Sequence, residues 1–334
     1  MVPTRRRLRL LPAALAVATL LGGCSPPPTA ENAAVAAHSP PSPSPSPSPS
    51  PSPDPSPSPV PAPPSPTVAP TVGPEPSPPP AAPAPVSHPE LYVLAASLES
   101  QDPDTLGTRL AEAEQLIRSP ATAAADLATA GKVQQAAYRQ LVARPEWRDV
   151  ALAKLPEHLR SGAAANIEAA SQLRVLTKPQ EKLPPWRIVP PPPAEELLSH
   201  YKAAQAASGI GWEFLAAIHL VESRMGRIRG TSTAGAQGPM QFLPSTWAAY
   251  GEGDINDPRD AIMAAARYLK RNGGPSDMGG ALYAYNHSQK YVKAIELYAG
   301  QMRVDERAYR GYFHWQVYYR TTAGDALLPE GYQG

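Results

Sequence analysis

Glu222 and Ser223 stand together at the expected end of a helix, and a run of small residues follows them into Gly238-Pro239-Met240-Gln241. On a helix Glu222 shares a face with Leu215 and Ile218 before it and Met225 after it, because residues three, four and seven apart are neighbours. A carboxyl held among aliphatic side chains loses solvation of its charged form, which makes it available as a general acid near neutral pH. Ala234-Gly235-Ala236 and Gly238 let a ligand approach the backbone closely, and Gln241 offers an amide donor and acceptor beside them. Taken alone, a glutamate near a helix end is as readily a solvated surface group. The loop that follows it is what gives the acid reading weight.

The elements that must position these residues are helical. Residues 194–207 have helix-forming composition with Leu197-Leu198, Tyr201 and Ala204 on one side, and Gly209 and Gly211 end that helix. The next is expected from about Trp212 to about Met225. Asp257-Pro258 with Asp260 reads as an N-cap, a first-turn proline and an acidic first turn opening a helix over 259–270. Further helices are expected over 278–285 and 289–302. Tyr283, Tyr285 and Tyr291 are candidates for stacking on a flat ligand or for packing.

Three short motifs in order, Glu222-Ser223, then Gly235-Ala-Gln-Gly-Pro-Met-Gln241, then Ala284-Tyr-Asn286, resemble those of the soluble branch of the lytic transglycosylases, enzymes of the goose-type lysozyme fold that cleave peptidoglycan. The likeness runs over residues 194–299. Val221-Glu-Ser-Arg-Met-Gly226, Gln241-Phe-Leu-Pro244 and Asp257-Pro-Arg-Asp-Ala-Ile262 also look like the membrane-bound B-type branch. The resemblance implies that Glu222 is the catalytic acid and base, protonating the oxygen between N-acetylmuramic acid and N-acetylglucosamine and then taking the proton of the muramic 6-hydroxyl as an anhydro ring closes. It implies that Ser223 hydrogen-bonds and orients Glu222, that Met240 and Gln241 line a sugar subsite, and that Tyr285 and Asn286 contact glycan. Pro239 replaces the leucine usual in the soluble branch, and His287-Ser288 follows Asn286 in place of Ala-Gly, departures that bear on subsite geometry. No second carboxylate is needed where the substrate's own acetamido group stabilises the developing cation. The alternatives are a hydrolysing muramidase of the same fold and a lipoprotein that binds or scaffolds peptidoglycan without cutting it.

The 45 prolines among 334 residues cluster before residue 86 and near 190, leaving about 240 residues for folded structure. Residues 1–23 read as an export signal: Arg5, Arg6, Arg7 and Arg9 precede an apolar core over 10–21 that is short for a bilayer span. Leu21-Gly-Gly-Cys24 resembles a lipoprotein box, which implies cleavage before Cys24, lipid on its sulfur, and a membrane anchor without a span. The expected location is the outer face of the cytoplasmic membrane, reaching into the cell wall. Residues 24–87 form a Pro/Ser-rich linker expected to be disordered, and its stretch 39–85 in polyproline-II form, at about 3.1 Å per residue, reaches roughly 150 Å.

Residues 88–178 are expected to form a small helical domain of unknown role, with breaks near Ser119-Pro120, Gly131 and Pro145 and with Leu106, Leu110, Ala113 and Leu116-Ile117 on one face. Residues 179–193 are a proline-rich connector, 194–303 the transglycosylase-like domain, and 304–334 an aromatic tail. The tail is strand-like from Tyr312 to Tyr319 and is expected either to form a hairpin with the segment after Gly324 or to lie beside the groove. The fold class is mainly α, lysozyme-like. Cys24 is the one cysteine, so an internal disulfide and a thiolate metal cage are excluded. His219 and His287 lack a partner at metal spacing and read as polar surface or groove residues, and Asp254-Ile-Asn-Asp257 lacks the glycine and closing glutamate of a calcium loop. Neither metal nor cofactor is expected. A net charge of +1 with no basic stripe gives no reason to expect nucleic acid.

Overall fold

A computed structural model describes residue 93 and residues 95–334. The export signal, Cys24 and the Pro/Ser stretch lie outside the described residues. Those described are mainly helical: α1 (Pro103–Arg118), α2 (Ala124–Ala143), α3 (Arg148–Ala153), α4 (Glu157–Leu176), β1 (Arg187–Ile188), α5 (Ala194–Ser208), α6 (Trp212–Ser223), β2 (Ile228–Arg229), α7 (Pro244–Tyr250), α8 (Pro258–Arg271), α9 (Met278–Tyr285), α10 (Gln289–Val304), α11 (Arg307–Phe313), β3 (Val317–Thr321) and β4 (Gly324–Leu328).

The caps explain several starts. The Asp102 carboxylate accepts from the Thr105 N–H at 2.8 Å and Pro103 opens α1; Asp257, the cap the sequence led us to expect, accepts from the Asp260 N–H at 3.0 Å and Pro258 opens α8. Each satisfies a donor that a helix start would otherwise leave unpaired. Gly209 closes α5 at φ 82°, a conformation that spares glycine the Cβ penalty of other residues.

Helix α6 is the axle of the core. From Leu215 to Ser223 every residue is buried, so the helix is enclosed all round and not amphipathic. It packs against α5, α10, α11 and α8, and one continuous apolar core joins these to the helices before the connector through α4 and α10. Buried tyrosines fill much of that core, among them Tyr138, Tyr201, Tyr285, Tyr291 and Tyr312. Each has to find a partner for its hydroxyl, and these bonds constrain the packing more narrowly than aliphatic contact does.

Two sheets of two strands complete the fold. β1 pairs antiparallel with β2, placing Arg187 opposite Arg229 and Ile188 opposite Ile228. β3 and β4 form a hairpin from Val317↔Leu328 to Thr321↔Gly324 across a two-residue turn. Of the two arrangements expected for the tail, the hairpin is found, but Tyr312 and Phe313 belong to α11. Beyond the hairpin the chain returns to the connector: Tyr332 O accepts from the Ile188 N–H at 3.0 Å, and the Gly331 N–H donates to Ile188 O at 2.8 Å.

Two expectations about the first helices are corrected. Gly131 does not break a helix; it lies inside α2, where a Cβ would stand 2.7 Å from the Gly311 carbonyl of α11, so it serves close helix approach. Leu116 is 41 % exposed, and the buried face of α1 passes through Leu106, Leu110, Ala113 and Ile117.

Candidate active site

The end of α6 is unusual backbone. Arg224, Met225 and Gly226 have φ of 54°, 60° and 83°, three successive residues in the left-handed region that non-glycine residues seldom occupy. The turn is pinned by Ser223, whose hydroxyl donates to the Pro239 carbonyl at 2.5 Å and accepts from the Gly226 N–H at 3.0 Å. The one proton of that hydroxyl is therefore committed to the loop. This bond ties the end of α6 to the glycine-rich segment.

Glu222 is 2 % exposed. Its Oε1 accepts from the Tyr291 hydroxyl of α10 at 2.9 Å. Tyr291 lies parallel to Tyr285, with ring centroids 6.5 Å apart and an interplanar angle of 3°, and the Tyr285 hydroxyl donates to Met240 O at 2.7 Å. Burial, and then the charge of Glu222, hold both phenols well above their ordinary pKa, so they remain donors across the working range of pH. The three sequence motifs thus meet through two tyrosines: carboxylate, Tyr291, Tyr285, loop.

The loop is held by its own geometry. Gly238 has φ 73°, and a Cβ there would stand 2.0 Å from the Ile255 carbonyl, so no other residue fits without moving backbone. Gln241 is also left-handed, at φ 52°; its Nε2 donates to Gly238 O at 2.8 Å. Its Oε1 is buried with no hydrogen-bond partner among the described residues. A buried acceptor left open costs about 1–3 kcal/mol, a cost that a ligand donor would offset.

The expected sugar-contacting residues divide. Met240 and Tyr285 are fully buried, and what they do in this structure is hold the loop. Asn286 is buried and closes α9 as its C-cap. Of the three tyrosines considered for stacking, Tyr291 is the hydrogen-bond partner of Glu222, and Tyr283 is 40 % exposed, resting edge-on against His287. The pairing of Tyr291 with Glu222 spans 69 residues and has no local signal in the sequence. Neither does the environment of His219, which is a correction: far from the surface, it is fully buried, shares a 2.6 Å hydrogen bond with the Tyr201 hydroxyl, and is held down to about 3 by burial and then by Arg229 and Arg227. His287 is exposed, as expected. Among the described residues no cluster of three potential metal ligands occurs.

Residues 199–304 match the family model described as Transglycosylase SLT domain. That stretch is similar to an SLT domain. Over 140 residues it is 30% identical to the membrane-bound lytic murein transglycosylase F of Thiobacillus denitrificans (strain ATCC 25259 / T1), an alignment covering 40% of this chain and 27% of that relative. The chain thus spans about a quarter of the length of the relative it matches. No solved structure matches. Every site residue named above, from Glu222 to Tyr291, falls inside the matched SLT stretch. Among the described residues no helix is long and apolar enough to cross a membrane.

Proposed function

We propose that the protein is a peptidoglycan lytic transglycosylase with Glu222 as its catalytic acid and base. The observation that carries this is the setting of Glu222: a buried carboxyl, oriented by a phenol that stays protonated, at a strained helix end inside the SLT stretch. In its acid form Glu222 gives its proton to the glycosidic oxygen between N-acetylmuramic acid and N-acetylglucosamine, and the bond to the muramic C1 breaks. The resulting carboxylate then takes the proton of the 6-hydroxyl, whose oxygen bonds to C1. The product is a 1,6-anhydro end, water is not consumed, and Glu222 returns to its acid form.

Gln241 is the residue best placed to bind the sugar, because its buried Oε1 lacks a donor that a hydroxyl or acetamido N–H would supply. Ser223, Met240 and Tyr285 act through the loop, fixing it against α6, and Asn286 is proposed near the scissile bond. Cys24 is proposed to carry lipid that holds the enzyme at the outer face of the cytoplasmic membrane, with the Pro/Ser stretch as its stalk. Labelled fatty acid that still enters a Cys24→Ala variant would refute the anchor.

The reaction is tested by mass spectrometry of purified peptidoglycan digested with the protein and with Glu222→Gln. Anhydro-muropeptides that vanish in the variant are the expected result. Reducing ends in their place would assign a muramidase, and intact glycan that is bound but uncut by both proteins would assign a wall-binding role.

A further inference from the structure

Away from Glu222, a cavity of about 100 Å³ opens where α2, α4, α6, α10 and the β3–β4 hairpin meet. Four guanidinium groups line it, from Arg139, Arg174, Arg224 and Arg320, against the single carboxylate of Asp325. That carboxylate is already shared: Arg139 pairs with it closely, and Arg174 Nη1 lies 3.0 Å from its Oδ2. Arg139 also stacks on Tyr318, with its guanidinium carbon 3.8 Å from the ring centroid, and feels the charge of Glu99.

The other two arginines have no carboxylate in the cavity. Arg320 gives Nη1 to the Arg174 and Thr177 carbonyls at 3.2 and 2.7 Å. Arg224 gives Nη1 to the Leu220 carbonyl at 2.6 Å, and its Nε is buried with no partner among the described residues. Burial first, and Arg139 and Arg227 after it, push Arg224 down to about 10. Gathering four cations around one anion costs free energy unless something negative joins them. Arginine's planar fork matches the two-oxygen geometry of carboxylate and phosphate groups. By the scale of about 10–15 Å³ for one water, the space holds a small cluster of waters or one such group.

We propose that this cavity is a binding site for a small oxyanion, a phosphate or carboxylate group, gripped by Arg224 and Arg320 with Arg139 and Arg174 around it. The site is built from residues on both sides of the connector, and Arg224 lies two residues beyond Glu222. A bound anion therefore couples the first helices and the hairpin to the left-handed turn that ends α6. The inference stands on the fold and does not depend on the proposed reaction.

The test is calorimetric titration of the full chain with inorganic phosphate and, separately, with N-acetyl-D-alanine, at ionic strength matched with chloride. One saturable site per chain is expected. A preference for phosphate would identify a free inorganic anion as the occupant, and a preference for the carboxylate probe a peptide-borne one. Arg224→Met and Arg320→Met are each expected to weaken binding at least tenfold, with Arg224→Lys retaining part of it. Asp325→Asn is expected to tighten binding severalfold, because it removes the competing carboxylate; a merely structural cluster would gain nothing. No saturable heat with either probe, or affinity unmoved in both Met variants, would overturn the proposal. If one Met variant fails to fold, as judged by circular dichroism, the other and Asp325→Asn decide it.

Discussion

Two glutamates, Glu114 on α1 and Glu222 on α6, are almost equally buried, at 1 % and 2 % exposure, yet their surroundings are opposite in kind. Glu114 meets Arg118 one turn along its own helix, with Nη1 2.5 Å from Oε2; Gln134 donates to Oε1 at 2.8 Å, and the Tyr138 hydroxyl makes a short bond to the same oxygen. Its charge is neutralised and its acceptors are filled, the arrangement a folded chain needs to keep an ion inside. Glu222 is met by the Tyr291 phenol, beside a turn of left-handed residues and a loop with an open acceptor. Burial therefore does not distinguish a chemical carboxyl from a structural one. The charge and donor character of the neighbours does.

The largest expected effect separates the two by activity. Glu222→Gln should lower turnover on peptidoglycan by about 10³-fold, the scale of a lost general acid, while the melting temperature stays close to that of the parent. Activity kept in that variant would end the comparison. Glu114→Gln should do the reverse, costing about 3 kcal/mol in urea unfolding because Arg118 loses its buried partner, with turnover per folded molecule preserved. Tyr291→Phe sharpens the contrast: it removes one donor to Glu222 and should cost about fivefold in turnover and about 1 kcal/mol in stability, the scale of one such bond. Tyr138→Phe should instead show in stability alone.

The smallest effect concerns a third buried polar group, His219. The unfolded chain takes up a proton near pH 6.5 that the folded chain refuses until about pH 3, so His219 contributes stability that is full above 6.5 and is lost as pH falls through that window. Between pH 6.5 and 5.5 the loss should be about 1 kcal/mol, measured from urea midpoints. An unchanged loss in His219→Gln would show that another group governs it.

Most of the helices were legible in the sequence because their signals are local: Asp257-Pro258 for α8, Gly209 and Gly211 between α5 and α6, and apolar spacing for α10. The candidate acid and the loop after it were legible for the same reason, as contiguous motifs. What escaped was non-local. Tyr291 reads as a ring available for stacking until α10 is laid against α6, and His219 reads as polar until Tyr201 and the arginines close over it. Gly131 looks like a helix break because its use, close approach to α11, depends on a residue 180 positions away. Met240 and Tyr285 carry motif identity but sit beneath the surface, which spacing alone does not report.

The bonds between α2 and the segment after α11 carry a consequence for how the chain reaches its fold. Gln134 Oε1 accepts from the Trp315 indole at 2.9 Å, and Gln135 exchanges two bonds with the backbone of Gln316, each across 181 residues. Such pairings bear the full entropy of closing a long loop before they return anything. During synthesis α1 and α2 leave the ribosome long before these partners exist, so their inward glutamines and the small residues around Gly131 wait with solvent or a chaperone in place of the protein. The first helices made can pack on one another early, but the side of α2 that meets the late segment stays uncovered until the end, and chain arrest before residue 315 should leave that side open to proteolysis that the finished fold resists.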